Sequence, residues 1–382
     1  MDGKMSLMDN NEILVLGGSG FIGSHLVRAL QNQGADVTVV DSFEAQVHGT
    51  AKTAPESKNV RVIRGRISDA GVLPGLIGSA DAIVNLAAAV GVGQSMYRIR
   101  EYVEKNTADT AALLDSLVNE KNRVRKLVIA SSMSVYGEGQ YTCGTCGEGR
   151  YPVTREYSKL DEREWEHSCP KCNNQLNPVP TVEDKPLNPS SVYAMSKRHQ
   201  EELSLLVGKT VGIPTVALRL FNTYGPGQSL SNPYTGACAI FSSRILNHKP
   251  PYIFEDGGQL RDFVHVSDVV DAILLALSRS QADYRAINIG TGIPTSILDL
   301  AGILAKLYDR ESSPFVSGEY RKGDIRHCFA SIDLAHKLLG FNPKTRLEDG
   351  LVELAKWARR ANWGAADAFD KSLSELKQKR LA

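Results

Sequence analysis

A short apolar run, EILVL at 12–16, breaks into the glycine-rich GGSGFIG and continues as FIGSHLVRALQNQG, whose apolar spacing is helical. Gly17, Gly20 and Gly23 give G-x-x-G-x-x-G at this change from strand to helix, and Gly34 fits the cap at the helix end. A turn without side chains lets backbone N–H groups approach a pyrophosphate, and the helix N-terminus adds partial positive charge. Asp41 closes the next β-rich run, VTVVDS at 37–42, and lies 18 residues past Gly23. A carboxylate there accepts hydrogen bonds from a ribose diol and repels a 2′-phosphate, which favours NAD over NADP. The plain alternative is a glycine turn used only for close packing, but the strand, the helix and the spaced acid together weigh against it.

Further β-rich runs stand at 60–65, 82–88, 126–132 and 215–221, separated by helical stretches that include 98–120 and 191–208. This alternation implies an α/β protein with a Rossmann-type, doubly wound parallel sheet. Residues 137–190 break the rhythm: they are rich in Gly, Pro, Cys, Asn and charge, and lack apolar periodicity. They read as an insertion ahead of the helix near Ser191. The expected organisation is a nucleotide-binding domain over 1–222, interrupted by the 137–190 insertion, then a smaller, mainly substrate-binding region over 223–362 and a C-terminal helix over 363–382. A net charge of +1 gives no electrostatic case for nucleic acid or an anionic membrane, and no apolar run reaches membrane-spanning length. The N-terminal MDGKMSLMDNNE has no apolar signal-peptide core, so a cytoplasmic location is expected.

Tyr193 and Lys197 form Y-x-x-x-K at the start of the 191–208 helix, and this spacing puts both on one helix face. A cationic lysine beside a phenol stabilises phenolate and lowers its pKa, so Tyr193 can take a proton from a sugar hydroxyl. Ser132 ends the run KLVIASS, where its hydroxyl can hold the same oxygen. Alone, Y-x-x-x-K is common by chance; after a glycine turn and a serine-tipped strand it reads as catalytic.

The segments GGSGFIG, NLAAAVGVGQS, SSMSVYG, SVYAMSK, LRLFNTYGPGQ and GGQLRDFVHVSDVV occur in this order between residues 12 and 350. In this the chain resembles the extended short-chain dehydrogenases/reductases, which include NAD-dependent nucleotide-sugar epimerases, dehydratases and decarboxylases. VGVGQSMY, SMSVYGEG, LSNPYTG, YRKGDIRHCFA and the cysteine-bearing insertion are most similar to the dTDP-L-rhamnose 4-epimerase-like branch. The resemblance implies that Tyr193 is the base, assisted by Lys197 and Ser132. It implies that NAD lies along Gly17, Gly20, Phe21, Ile22, Gly23, Asp41, Ile67, Leu86, Ala87, Ala88 and Asn106, as well as Tyr193 and Lys197. A nucleotide sugar would meet Gln94, Ser95, Ser134, Asn222, Asn232, Arg261, Arg321 and Asp324, the arginines taking the diphosphate. The two long helices resemble those that pair across a homodimer in this family.

Two positions depart from the family's pattern. Arg66 stands where many relatives place an aspartate that contacts adenine. Met133 and Ser134 follow Ser132 where sugar 4,6-dehydratases carry Asp-Glu, which argues against dehydration.

Cys143 and Cys146, and Cys169 and Cys172, form two C-x-x-C pairs with 22 residues between them. Four thiolates satisfy tetrahedral Zn²⁺ and leave no open position, so the expectation is a structural, ribbon-like zinc site that supplies order to a loop-rich insertion. Four free thiols in a loop are the alternative. The functional expectation is redox-neutral epimerisation, at the 4-position of a dTDP-6-deoxyhexose, with small residues in VGVGQS and SSMS leaving room for a sugar to turn. Dehydrogenase, decarboxylase and dehydratase activities of the same family are the alternatives, and a non-catalytic NAD-sensing scaffold is a remote one.

Overall fold

The computed structural model describes residues 11–48, 59–69, 71, 73–309, 313–361 and 367–382. Residues 1–10, which carry most of the reading of the N-terminus, and 363–366 of the expected C-terminal helix lie outside these. Seven strands form one parallel sheet: β1 (Glu12–Leu16), β2 (Asp36–Asp41), β3 (Val60–Arg64), β4 (Ala82–Asn85), β5 (Lys126–Ser132), β6 (Thr215–Leu220) and β7 (Arg285–Ile289). Their spatial order is β7-β6-β5-β4-β1-β2-β3. The chain therefore steps one way from β1 and the other way from β4. This reversal opens a crevice at the carboxyl ends of the strands, where such sheets take ligands.

The sheet is buried on both faces, which explains why β1 is a continuous apolar run. Alternate residues serve opposite layers. Ile13, Val15, Val37 and Val39 pack with Leu26, Leu30, Val269 and Ile273. Leu14, Leu16, Ile83 and Ile129 pack with Leu113, Leu117 and Ile77 on the other face. The helix Val266–Ser278 and the edge strand β7 reach this layer from beyond residue 222.

A second core joins the helices Ala237–Leu246, Ile297–Leu307 and Leu347–Arg360 through Phe241, Ile245, Leu304 and Leu354. Beside it, the strand Leu260–His265 pairs with Asn222–Tyr224, Pro294–Ser296 and His327–Cys328. The 137–190 stretch contains a three-stranded antiparallel sheet, with Gln140–Thr142 between Gly149–Arg150 and Asn177–Val179. These strands are too short to show a period in the sequence.

The stretch 98–120 is helical but not uniform. Ile99–Tyr102 leads into a π-helical turn, Val103–Ala108, and then Asp109–Asn119. The expected helix at 191–208 runs from Val192 to Val211; the Ser191 hydroxyl caps it by accepting from the Ala194 N–H at 3.1 Å. Among the described residues no helix is long and apolar enough to cross a membrane.

Candidate active site

The glycine turn sits at the carboxyl end of β1. Gly17 has φ +77°, and a Cβ on it would lie 2.8 Å from the Ala87 nitrogen. A Cβ on Gly23 would collide with the Gly17 carbonyl, so the first helical turn can lie against the loop only if residue 23 is glycine. The helix Phe21–Asn32 that follows has no side-chain cap, and the buried Ser19 hydroxyl has no hydrogen-bond partner. Uncapped helix donors, an unpartnered buried hydroxyl and a side-chain-free cradle together fit a pyrophosphate. Ile22 packs on the core and Phe21 stands edge-on to His25 at 6.1 Å.

Asp41 accepts hydrogen bonds from the N–H groups of Ser19 at 3.0 Å and Phe43 at 2.9 Å, and His48 Nε2 lies 3.3 Å away. Burial pushes its carboxyl up, but the bond to His48 and these backbone donors outweigh burial and hold it below its ordinary value. An ionised acid is thus fixed beside the glycine turn. Arg66 is bound to Asp109 at 2.9 Å, so it is already paired within the protein; Ile67 next to it is buried.

The segment from Leu86 to Ala89 lines the crevice beside Gly17. Leu86 N–H donates to Leu16 O at 2.9 Å, the Ala87 N–H is held by the Asn85 side chain at 3.1 Å, and Ala88 is half-buried. Asn106, buried in the π-helical turn, accepts from the Ala89 N–H at 2.7 Å. It also donates to Ala89 O at 3.0 Å and to the Ser196 hydroxyl at 2.9 Å. One amide thereby joins this segment to the helix that carries Tyr193 and Lys197.

That helix delivers both residues to the end of β5. Lys197 Nζ donates to Ala130 O and, at 2.7 Å, to Gln200 Oε1. Burial lowers its pKa to about 7, an effect the Glu201 carboxylate only partly offsets. Burial raises the Tyr193 phenol, and its hydrogen bond with Ser132 offsets only part of this. The expected lowering of Tyr193 by Lys197 is therefore not produced by the protein's own groups, because desolvation disfavours both charged forms. Ser132 Oγ also accepts from Ser134 Oγ at 2.9 Å, and the Tyr102 ring stands edge-on to Tyr193 at 6.4 Å.

The residues expected to meet a substrate fall into two groups. Gln94 and Asn232, both buried, are bridged by Gln46 Nε2 at 3.1 and 3.2 Å, and Tyr102 donates to Gln94 at 3.1 Å. Ser95 is buried and its hydroxyl donates to Val92 O at 2.6 Å. The other group is a wall. Arg261 grips the carbonyls of Ile325 at 2.7 Å and Arg326 at 2.8 Å, and Arg321 Nε bonds Asp324 at 2.7 Å. Asn222, on the strand beside Arg261's, has a buried side-chain oxygen with no partner.

Several participants carry no motif. Gln46 is one. The hydroxyls of Tyr97 and Tyr234 lie 2.5 Å apart, and Glu375 of the C-terminal helix is within hydrogen-bond distance of both, at 2.9 and 3.2 Å. The glycines of VGVGQS are filled rather than open: a Cβ on Gly91 would meet Tyr234, and one on Gly93 would touch Leu376. Glu201 was within reach of sequence reasoning, since it lies four residues after Lys197 on the same face; it binds Arg219 and accepts from the Ser131 hydroxyl at 2.6 Å.

In the insertion, the sulfurs of Cys143, Cys146, Cys169 and Cys172 all lie within 4.8 Å of one another, with Cys143–Cys172 at 3.5 Å and Cys146–Cys169 at 3.9 Å. Each C-x-x-C turns back on itself: the Gly147 N–H donates to Cys143 O and the Asn173 N–H to Cys169 O, both at 2.8 Å. Gly147 and Asn173 both adopt positive φ.

A doubly wound parallel sheet with a dinucleotide cradle and a Ser-Tyr-Lys cluster at its carboxyl edge defines a Rossmann-type nucleotide-dependent protein. The chain belongs to the NAD dependent epimerase/dehydratase family, whose sequence profile matches residues 13–160 and 170–290. It is 35% identical over 362 residues to dTDP-L-rhamnose 4-epimerase of Burkholderia thailandensis, covering 93% of this chain and 97% of that one. The UDP-glucose 4-epimerase of Thermotoga maritima, solved with UDP-glucose, superposes with a TM-score of 0.75 at 28% identity, over 91% of this chain and 99% of that one. The UDP-glucuronic acid 4-epimerase of Bacillus cereus, solved with UDP-glucuronic acid and NAD, gives 0.74 at 28% identity over the same shares.

Proposed function

We propose that this protein is an NAD-dependent nucleotide-sugar 4-epimerase, and that its substrate is a dTDP-linked 6-deoxyhexose or a close analogue. The observation that carries the reading is the half-buried Tyr193, hydrogen-bonded to Ser132, on the helix that Asn106 ties to the Leu86–Ala89 side of the glycine cradle. The 35% identity to a dTDP-L-rhamnose 4-epimerase supports the sugar position and the nucleotide.

The Gly17–Gly23 turn, Asp41 and the uncapped helix hold NAD, with Ile67 and the Leu86–Ala88 segment beside it. When bound there, NAD would supply reversible hydride acceptance at a sugar carbon. Tyr193 takes the proton of the neighbouring hydroxyl and later gives it back, while Ser132 keeps that oxygen in place. Lys197, with a pKa of about 7, changes charge near neutral pH and so responds to charge arriving in the site. Arg261, Arg321, Asp324 and Asn222 hold the nucleotide diphosphate, and Gln94, Ser95, Ser134 and Asn232 surround the sugar. Loss of water needs a free carboxyl group near the sugar. Met133 and Ser134 supply none, and the acids Glu138 and Glu201 are bound to the Arg326 N–H and to Arg219.

The four cysteines hold one structural zinc. Tetrahedral ligation at about 2.3 Å per bond requires sulfurs about 3.8 Å apart, and the observed 3.5 and 3.9 Å bracket this. The protein works as a homodimer in the cytoplasm: the packed helices at 99–119 and 192–211 expose Ile99, Val103 and Leu206. A monomer mass by light scattering at micromolar concentration would remove the dimer from this account.

The function is tested by incubating the enzyme with dTDP-L-rhamnose in deuterated water and following the sugar by NMR. Inversion at the 4-position without uptake of deuterium there is expected. Deuterium at that carbon, or a stable keto or dehydrated product, refutes the mechanism.

A further inference from the structure

We infer that the cysteine-bearing insertion is part of the nucleotide-sugar site, because its arm at 155–166 positions the Arg321–His327 wall. The inference rests on the reading of that wall as the diphosphate contact. Residues 320–326 carry no helix or strand, so the wall takes its shape from what grips it.

Much of the grip comes from the insertion. Arg155, buried, forms a fork to Glu255 at 2.6 and 3.0 Å and also donates to Asp324 O at 3.2 Å. Glu138 accepts from the N–H groups of Arg326 at 2.8 Å and His327 at 3.3 Å. Glu166 takes the Arg326 guanidinium at 2.7 Å and the His327 ring at 2.9 Å. On the outside, Tyr157 stacks on Tyr320 at 6.2 Å with rings 16° from parallel. Lys322 Nζ lies 5.4 Å above the Tyr157 ring, and the Tyr320 hydroxyl donates to Asp161 at 2.8 Å. The same carbonyls of Ile325 and Arg326 that Arg261 binds therefore belong to a segment whose other side is the insertion.

The arm runs into the cysteine cluster at His167, which stands edge-on to Tyr141 at 5.2 Å and lies 3.3 Å from Glu138. The buried apolar cluster of the insertion is Tyr141, Leu176, Cys143 and Cys169, with the half-buried Cys146 and Cys172 packed against it, and Glu138 accepts from the Tyr141 hydroxyl at 2.9 Å. A cluster this small does not hold itself without cross-linking. Metal at the cysteines thus sets the affinity for the nucleotide diphosphate, through the wall, while NAD on the far side of the crevice is unaffected. Arg155, Tyr157 and Asp161 are positioning residues; none is assigned a contact with the reacting atoms.

Calorimetry on the NAD-loaded protein with dTDP and with UDP tests this directly. Tyr157→Ala and Asp161→Ala, at positions outside the core, should weaken the better-bound nucleotide about tenfold, the scale seen when a supporting residue is lost. In turnover, KM should rise with kcat nearly constant. Tyr157→Phe keeps the stack and should bind as wild type. Stripping the metal with a chelator should weaken binding at least as much, with Zn²⁺ but not Mg²⁺ restoring it. Unchanged dTDP and UDP affinity in the two weakening variants and in the metal-free protein would overturn the inference and leave the epimerase reading intact. Wild-type protein that binds neither nucleotide would overturn that reading, and the inference with it.

Discussion

Between Leu16 and Asp41 the site is shaped by backbone; between Glu138 and His327 it is shaped by buried charge. On the dinucleotide side, the protein needs two positions without a Cβ, a helix start and one acid held by the Ser19 and Phe43 N–H groups. On the proposed substrate side, Arg155 and Arg326 sit among Glu138, Glu166 and the adjacent pair Glu255 and Asp256, which are distant from one another along the chain except for that pair. Backbone geometry tolerates little variation and suits a constant ligand. A network of side chains is only as rigid as its weakest member, and truncating one leaves the others buried without a partner. The contrast suggests that cofactor binding is robust and that substrate affinity is adjustable.

The largest effect should come from Tyr193→Phe, which removes one hydroxyl from the seam between the two sides. Turnover should fall by roughly 10²–10⁴, while NAD binding, followed by fluorescence titration, stays close to wild type. If NAD binding fell in parallel, Tyr193 would belong to the cofactor wall rather than to proton transfer.

Next is the metal. One zinc per chain is expected by elemental analysis of protein purified without a metal-affinity column. Cys169→Ser should abolish it and lower Tm, since a structural site contributes folding free energy outright. A zinc content near zero in reduced, intact protein would refute the zinc site and leave the insertion with hydrogen bonds alone. Smaller is the effect of Asp41→Ser. Removing the acid should cut the preference for NAD over NADP by about tenfold, a shift of roughly 1.4 kcal/mol. NADP bound more tightly than NAD by the wild type would contradict the assignment of Asp41.

The same division governs what the sequence discloses. Gly17, Gly23 and Asp41 lie within 25 residues of one another, and their reason for being there is local. Tyr193 and Lys197 are one helical turn apart, and both pairs of cysteines close on themselves. Such features survive reading as a string. Arg155 and Glu255 are separated by 100 residues, Glu138 and Arg326 by 188, and Tyr97 and Glu375 by 278. No local period marks them, so the wall's supports and the C-terminal helix's tie to Tyr97 and Tyr234 were not legible. The strand β7 is absent from the β-rich runs for a related reason: RAINI at 285–289 is short and lies within the 223–362 stretch assigned to substrate binding, and only its pairing with β6 makes it part of the sheet. The direction of the Tyr193 shift also escaped, because spacing shows that Lys197 is near but not how dry the site is.

The smallest predicted effect concerns that dryness, and it locates the seam between the two sides energetically. Lys197 is held by Ala130 O and Gln200, with Glu201 near enough to offset part of the burial, yet its pKa falls from 10.5 to about 7. The folded state therefore binds fewer protons than the unfolded state between those two values. Stability gains with pH wherever the unfolded state holds more protons. The cost of a charged Lys197 is thus fully present below pH 7 and is relieved as pH rises toward 10.5. Lys197→Met has no such term, although it leaves Ala130 O and Gln200 without their donor, so its absolute stability is less informative than the pH dependence of the difference. In protein stripped of nucleotide, Tm of the variant minus Tm of the wild type should be more positive at pH 6.5 than at pH 9.5, by about a few degrees. The dinucleotide cradle contributes nothing to this difference, and the charged wall is the same in both proteins. A difference that is flat across this range, or that runs the other way, would mean that Lys197 stays charged when folded. The site would then be wetter, and the Tyr193 phenol less suppressed, than the burial of Lys197 implies.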